Sequence, residues 1–118
     1  SGTQYFTHLN QMINGIKDKN PQVCVLVMTP PPSVLHRKFK NTYIEKYAEL
    51  IEENAHDNNY AVWNLLDVFG GNKAINRNTA KGYMARDKVH YSKAGYEKQA
   101  ALFFNAFMKS YELFKSTK

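Results

Sequence analysis

The sequence predicts an α/β layered fold with a parallel sheet, only part of which this chain carries. Three observations lead there. Long segments repeat apolar residues at helical spacing, a six-residue run at 23–28 is apolar on both faces, and helices alternate with strands along the chain. A strand apolar on both faces belongs in the middle of a covered parallel sheet, because a surface strand of an antiparallel sheet alternates. Only two such strands are visible for three long helices, too few to cover their apolar faces, so the chain reads as part of a larger domain.

The elements follow in order. Tyr5, Phe6, Leu9, Met12, Ile13 and Ile16 recur at steps that predict an amphipathic helix over residues 4–19, stopped by Asn20-Pro21. Residues 23–28 predict the first strand, ended by Thr29-Pro30-Pro31-Pro32, since consecutive prolines lack ladder donors. A second helix is predicted from about Leu35 to Asp57, with Tyr43, Ile44, Tyr47, Ala48, Ile51 and Ala55 as its buried stripe. Residues 60–65 predict a shorter strand, residues 66–69 a turn or short helix, and Gly70-Gly71 a break. Residues 72–89 are polar and weakly patterned and read as a long loop with room for a short helix. The last helix is predicted from about Lys93 to Phe114, with Ser92 as N-cap and Tyr96, Ala100, Phe103, Phe107, Tyr111 and Phe114 as its stripe.

Composition narrows the class. Of 118 residues, 43% are hydrophobic and 22% charged, and eight Tyr with seven Phe supply bulky core material, which excludes wholesale disorder. The longest apolar run is far too short to span a bilayer, no signal-peptide pattern is visible, and no membrane partner is expected. The single cysteine, Cys24, excludes an internal disulfide framework and is read as a buried inert thiol. The net charge of +6 is scattered. Its densest groups are Arg37-Lys38-Lys40 and the tail Lys109, Lys115 and Lys118; neither is a long basic run with interleaved aromatics, and both read as solvated helix surface, so no nucleic-acid partner is expected. The histidines lack the Cys or carboxylate spacing of a zinc site, so no metal is expected either.

The segment that carries chemistry is Ala85-Arg86-Asp87-Lys88-Val89-His90-Tyr91-Ser92-Lys93-Ala94-Gly95-Tyr96. An Asp three residues before a His, on a loop that opens a helix, can bring its carboxylate to the imidazole Nδ1–H. The carboxylate then holds the tautomer and stabilises the imidazolium, leaving Nε2 to take a proton from a nucleophile. A bare Asp-x-x-His arises often by chance, with two surface loop residues as the plain alternative.

The context from Asp87 to Tyr96 resembles the closing block of the SGNH (GDSL-type) hydrolases, which reads Asp-x-x-His followed by Gly-Tyr within the last helix. Pro21 and the apolar strand ending in Thr29-Pro30-Pro31 are similar to that family's fourth strand. Val62-Trp63-Asn64-Leu65-Leu66-Asp67-Val68-Phe69-Gly70-Gly71 is similar to the fifth strand and its exit in the carbohydrate and peptidoglycan O-acetylesterase branch. The resemblance implies a three-layer α/β/α, flavodoxin-like fold with a five-stranded parallel sheet. It also implies a cofactor-free Ser-His-Asp triad that cleaves esters through an acyl-enzyme, with His90 as general base and Asp87 as its orienting partner. The implied substrate is a short-acyl, acetyl-type ester on carbohydrate, and the implied location is exported or periplasmic in a bacterium.

The family's Gly-Asp-Ser block is absent: serines occur only at positions 1, 33, 92, 110 and 116, none in that context. Residues 1–118 therefore correspond to the C-terminal portion of a single domain of this type. By this reading the chain supplies the Asp-His pair but no nucleophile, is inactive alone, and has a missing N-terminal segment or a complementing chain as partner. Gly2-Thr3-Gln4 faintly echoes the Gly-x-Asn block, which makes Gln4 a candidate oxyanion donor.

Other residues carry two readings each. Ser33, at the C-terminal end of the first strand, either lines the cleft or caps a helix. Tyr91 either shapes an acyl or sugar pocket or packs on Tyr96 as a hydrophobic staple. Trp63 reads as core with an N–H in need of an acceptor, and Asp67 as the cap of a turn. The whole chain also has a second reading, a non-catalytic α/β carbohydrate-binding or partner-docking module that keeps the Asp-His loop by descent.

Overall fold

The first helix, α1 (Gly2–Lys19), buries Ile13 and stops where Asn20 N–H donates back to the Ile16 carbonyl, 3.0 Å away, just ahead of Pro21. These statements come from a computed structural model that describes residues 2–117; Ser1 and the tail's Lys118 lie outside the described residues. The strand β1 is confined to Leu26–Met28. Next come two short strands, β2 (Val34–Leu35) and β3 (Phe39–Lys40), paired antiparallel. Helix α2 (Thr42–Ala55), strand β4 (Ala61–Trp63) and the single turn α3 (Leu65–Val68) follow. A 3₁₀ turn (Asn72–Ala74) leads into α4 (Ile75–Ala80), and α5 (Lys93–Ser116) closes the chain.

β1 and β4 run parallel in the register Leu26↔Ala61, Val27↔Val62 and Met28↔Trp63. Among the described residues this sheet has those two strands. Thr29 ties their C-terminal ends together. Its N–H donates to the Trp63 carbonyl at 3.0 Å, and its buried hydroxyl accepts the Leu66 N–H at 3.0 Å. A buried threonine thus satisfies one of the orphan donors at the start of α3, and Asn64 satisfies another by accepting the Asp67 N–H at 3.1 Å. Asn64 rather than Asp67 is the cap of this turn.

One face of the sheet is covered. Val25, Val27 and Val62 pack on Ile13, Ile51 and Tyr60, and the rings of Tyr5 on α1 and Tyr47 on α2 stack 4.3 Å apart. The Tyr60 hydroxyl donates to the Ile51 carbonyl at 3.0 Å, so a buried phenol has its partner. The opposite face meets α5 only in part. Trp63 packs edge-on against Phe103, with ring centroids 5.6 Å apart, while Leu26, Met28, Phe107, Tyr111 and Phe114 stay exposed. The buried indole N–H of Trp63 has no partner among the described residues. Cys24, expected to be a buried thiol, is exposed because it lies on this thinly covered side.

The largest departure from the sequence reading is at residues 34–40. A helix from Leu35 was expected; the chain instead makes the β2–β3 hairpin, and α2 begins at Thr42. His36 and Arg37 adopt left-handed backbone (φ 50° and 63°), and Lys38 N–H closes the turn on the Leu35 carbonyl at 3.1 Å. Left-handed turns ordinarily carry Gly or Asn, and neither is present to signal this one. Ser33 consequently caps no helix: its hydroxyl accepts a long hydrogen bond from the Asn41 side-chain amide, 3.4 Å away, across the base of the hairpin. Arg37, Lys38 and Lys40 sit on the hairpin rather than on a helix surface. Residues 72–89, read as a long loop, contain the 3₁₀ turn and α4, pinned by the buried Asn78 side-chain amide donating to the Phe69 carbonyl at 3.0 Å.

Candidate active site

The loop between α4 and α5 is a closed device. Met84 and Tyr91 pair as an antiparallel bridge, Ala85 N–H donates to the His90 carbonyl at 2.9 Å, and Ser92 N–H donates to the Tyr83 carbonyl at 2.9 Å. Lys88, left-handed at φ 57°, donates its N–H to the Ala85 carbonyl at 3.0 Å and reverses the chain inside that frame. Val34 N–H from the hairpin donates to the Lys88 carbonyl at 3.0 Å, so the β2–β3 hairpin holds the loop from outside. Ser92 then starts α5 by accepting the Gly95 N–H at 3.1 Å, the capping role its position predicts.

Within this frame the two carboxylate oxygens of Asp87 divide their work. Oδ1 accepts the backbone N–H groups of Val89 and His90 at 2.9 and 3.0 Å. Oδ2 lies 2.6 Å from Nδ1 of His90. The backbone bonds point the carboxylate, and the carboxylate in turn orients the ring. The Asp87 side chain is 21% exposed and the His90 side chain 75%, so the acid is tucked into the loop while the imidazole faces outward. The His90 ring, then the N–H groups of His90 and Val89, hold the Asp87 carboxyl well below the usual carboxylate range. A persistently ionised acid on Nδ1 keeps the proton on that nitrogen and leaves Nε2 as a proton acceptor.

The remaining candidate residues fall elsewhere. Tyr91 is in the core: its ring packs with Phe69, Ile75 and Met84, and its hydroxyl donates to the Pro32 carbonyl at 2.5 Å. Burial raises its phenol above the ordinary value. Of the two readings of Tyr91, the structure shows the packing one: it is buried, and its ring lies beside Tyr96, centroids 6.1 Å apart. Gln4 is exposed in the first turn of α1, a helix that packs on α2. Three serine hydroxyls bond to nearby groups: Ser92 with Gly82 and Gly95, Ser33 with Asn41, and Ser116 with Leu113. No group of three or more His, Cys, Asp or Glu among the described residues is placed to hold a metal ion. No helix among them is long and apolar enough to cross a membrane.

The sequence reading missed a groove beside this loop. Two adjoining cavities of about 450 and 720 Å³ share Lys40, Asn72 and Lys73 as walls. The smaller one is bounded by Val34 of the hairpin and by Lys88, the residue following Asp87. No local pattern announces it, because its walls come from separate stretches of chain.

A parallel strand pair flanked by helices, with a carboxylate-held imidazole leading into the last helix, is a layered α/β architecture with its polar loops at one sheet edge. Comparison with known proteins narrows this. The model of the GDSL-like lipase/acylhydrolase family matches residues 1–98, and the chain belongs to that family. A search of curated sequences returns no match. Among solved structures, the chain is similar to a peptidoglycan O-acetylesterase with a TM-score of 0.83 at 17% identity, over 92% of this chain and 32% of that one. It is also similar to a lipase/acylhydrolase from Enterococcus faecalis, with a TM-score of 0.63 at 23% identity, over 90% of this chain and 51% of that one. At these identities the likeness establishes the fold, the α/β arrangement of SGNH hydrolases. The chain spans about a third and about half the length of the two neighbours it matches.

Proposed function

We propose that residues 1–118 are the C-terminal portion of a serine-type ester hydrolase domain in which His90 is the general base and Asp87 its orienting carboxylate. The observation that carries this reading is the 2.6 Å contact between Asp87 Oδ2 and His90 Nδ1, with the other carboxylate oxygen bound to backbone and the ring open to solvent. The family membership supports the acyl-transfer chemistry. In that chemistry Nε2 takes the proton of a serine hydroxyl as it attacks the ester carbonyl, the alcohol leaves with the proton, and water repeats the sequence on the acyl-enzyme. The serine comes from an N-terminal segment or a complementing chain that packs against the thinly covered face and the unpaired side of β1. The substrate is a short-acyl ester, acetyl in the first instance, on a carbohydrate.

A reporter assay with p-nitrophenyl acetate tests this. The 118-residue chain alone should turn over no faster than free imidazole at equal concentration. Joined to an upstream segment carrying a strand and a Gly-Asp-Ser turn, it should gain turnover. His90→Ala should then lower that turnover by about 10⁴-fold or more, and Asp87→Asn by about 10³–10⁴-fold. Turnover by the chain alone that disappears in His90→Ala overturns the inactivity, and turnover of the joined protein that survives His90→Ala overturns the general base.

A further inference from the structure

The groove beside the Asp87–His90 loop gathers cations from three separate parts of the chain. The hairpin brings Arg37, Lys38 and Lys40, the 3₁₀ turn brings Lys73, and the loop itself brings Lys88. Such a gathering is costly without a counter-charge, because like charges in a concave, partly desolvated space repel one another. The carboxylates available are few. Glu45 lies 3.5 Å from Lys40 and also accepts from the Asn72 amide at 3.0 Å, and Asp67 lines the far cavity. Arg37, Lys38 and Lys73 form no ion pair among the described residues. The ammonium of Lys88 is aimed by the Asn76 side-chain carbonyl, 2.9 Å away, and Lys88 follows Asp87 directly in sequence. The more cationic cavity is therefore the one to which the Asp87–His90 loop contributes a wall.

Resting on the ester-hydrolase reading above, we infer that this groove binds a carboxylate-bearing glycan and holds a charged stretch of the polymer beside the ester that His90 serves. The walls suit a polar chain: they carry amides and long cationic side chains, with Val34 and Ile75 as the apolar members of the smaller cavity. A single-stranded nucleic acid is held on successive aromatic platforms; Phe39, exposed between Lys38 and Lys40, lines neither cavity, and the residues that do line them include no aromatic. Guanidinium and ammonium groups meet carboxylates with charge-assisted hydrogen bonds, of which Arg37 can give a bidentate pair.

Binding to the 118-residue chain is measured by titrating oligogalacturonate, neutral chito-oligosaccharide and a single-stranded oligonucleotide at low salt while following backbone amide NMR shifts. Oligogalacturonate should shift amides of the hairpin, the 3₁₀ turn and Lys88 and should bind at least tenfold more tightly than the neutral oligomer. The triple variant Arg37→Gln, Lys38→Gln, Lys73→Gln should weaken it at least tenfold, whereas Lys98→Gln, Lys109→Gln, Lys115→Gln on α5 should not. Shifts spread over α5, equal weakening by both triple variants, no binding at low salt, or tighter binding of the oligonucleotide at the same residues each overturn the inference. The amide shifts of the unmodified chain decide the matter even where a variant fails to fold. Loss of this binding leaves the p-nitrophenyl acetate result standing, and loss of ester turnover leaves the binding result standing, so the two readings fail separately.

Discussion

A Cβ added to Gly95 would sit 2.0 Å from the carbonyl oxygen of Tyr83. That carbonyl accepts the Ser92 N–H, so it cannot retreat without releasing the stem of the Asp87–His90 loop. The glycine in the Gly95-Tyr96 pair is thus explained by close backbone packing of α5 against the segment that leads into the loop. Gly95→Ala should destabilise the chain by about 1–3 kcal/mol, the range for overpacking a well-packed site, even though alanine favours helix. Urea denaturation followed by circular dichroism measures it. A midpoint equal to that of the unmodified chain would show that α5 can slide and that the loop is not held as described.

Asp87 supplies a pH dependence with a definite sign. Its carboxyl is lowered from the ordinary 3.8 by the His90 ring and by two backbone N–H groups. A carboxyl whose folded value is depressed adds stability above the ordinary value and loses it as pH falls toward the folded one. The loop should therefore loosen only under acid conditions below the usual carboxylate range. Side-chain carboxyl ¹³C titration should place the Asp87 midpoint below 3.8. In His90→Ala the midpoint should rise, since the strongest cause is gone, yet stay below the ordinary value because the Val89 and position-90 N–H groups still donate. An unchanged midpoint in that variant would mean that the ring and the carboxylate do not meet in solution.

Tyr91 separates a packing role from a substrate role. Removing its hydroxyl in Tyr91→Phe leaves the Pro32 carbonyl without its donor in a buried position. A cost of about 1–2 kcal/mol in stability is expected. In the protein completed with its nucleophile, KM for an acetyl ester should change by less than about twofold, the ring itself being retained in the core. A large rise in KM with no loss of stability would return Tyr91 to the wall of a pocket.

Short-range physics made the candidate site readable. Asp-x-x-His, the Ser92 cap and the start of α5 all depend on contacts within a few residues: Asp87 Oδ2 lies 2.6 Å from His90 Nδ1, and Ser92 accepts the Gly95 N–H at 3.1 Å. The stripes of α1 and α2 were readable for the same reason: Ile13, Ile44, Ala48 and Ile51 repeat with the period of the helix that buries them. The stripe on α5 was read equally well as a pattern, but Tyr96, Phe107, Tyr111 and Phe114 remain exposed, because periodicity records which residues seek cover and not whether this chain supplies it.

Residues whose state depends on distant partners were not readable. The segment at 34–40 has the composition of a helix start and becomes a hairpin, since Val34 is bonded to Lys88 and the turn is forced through left-handed His36 and Arg37. Cys24 sits in an apolar run and is nonetheless exposed, because only one face of β1 receives a helical layer in full. Arg37, Lys73 and Lys88 are dispersed along the chain and border one groove only after the hairpin, the 3₁₀ turn and the loop converge. Local spacing carries dihedral preference and hydrogen-bond reach over a few residues; which surfaces are covered, and which charges become neighbours, is settled by how remote segments close on one another.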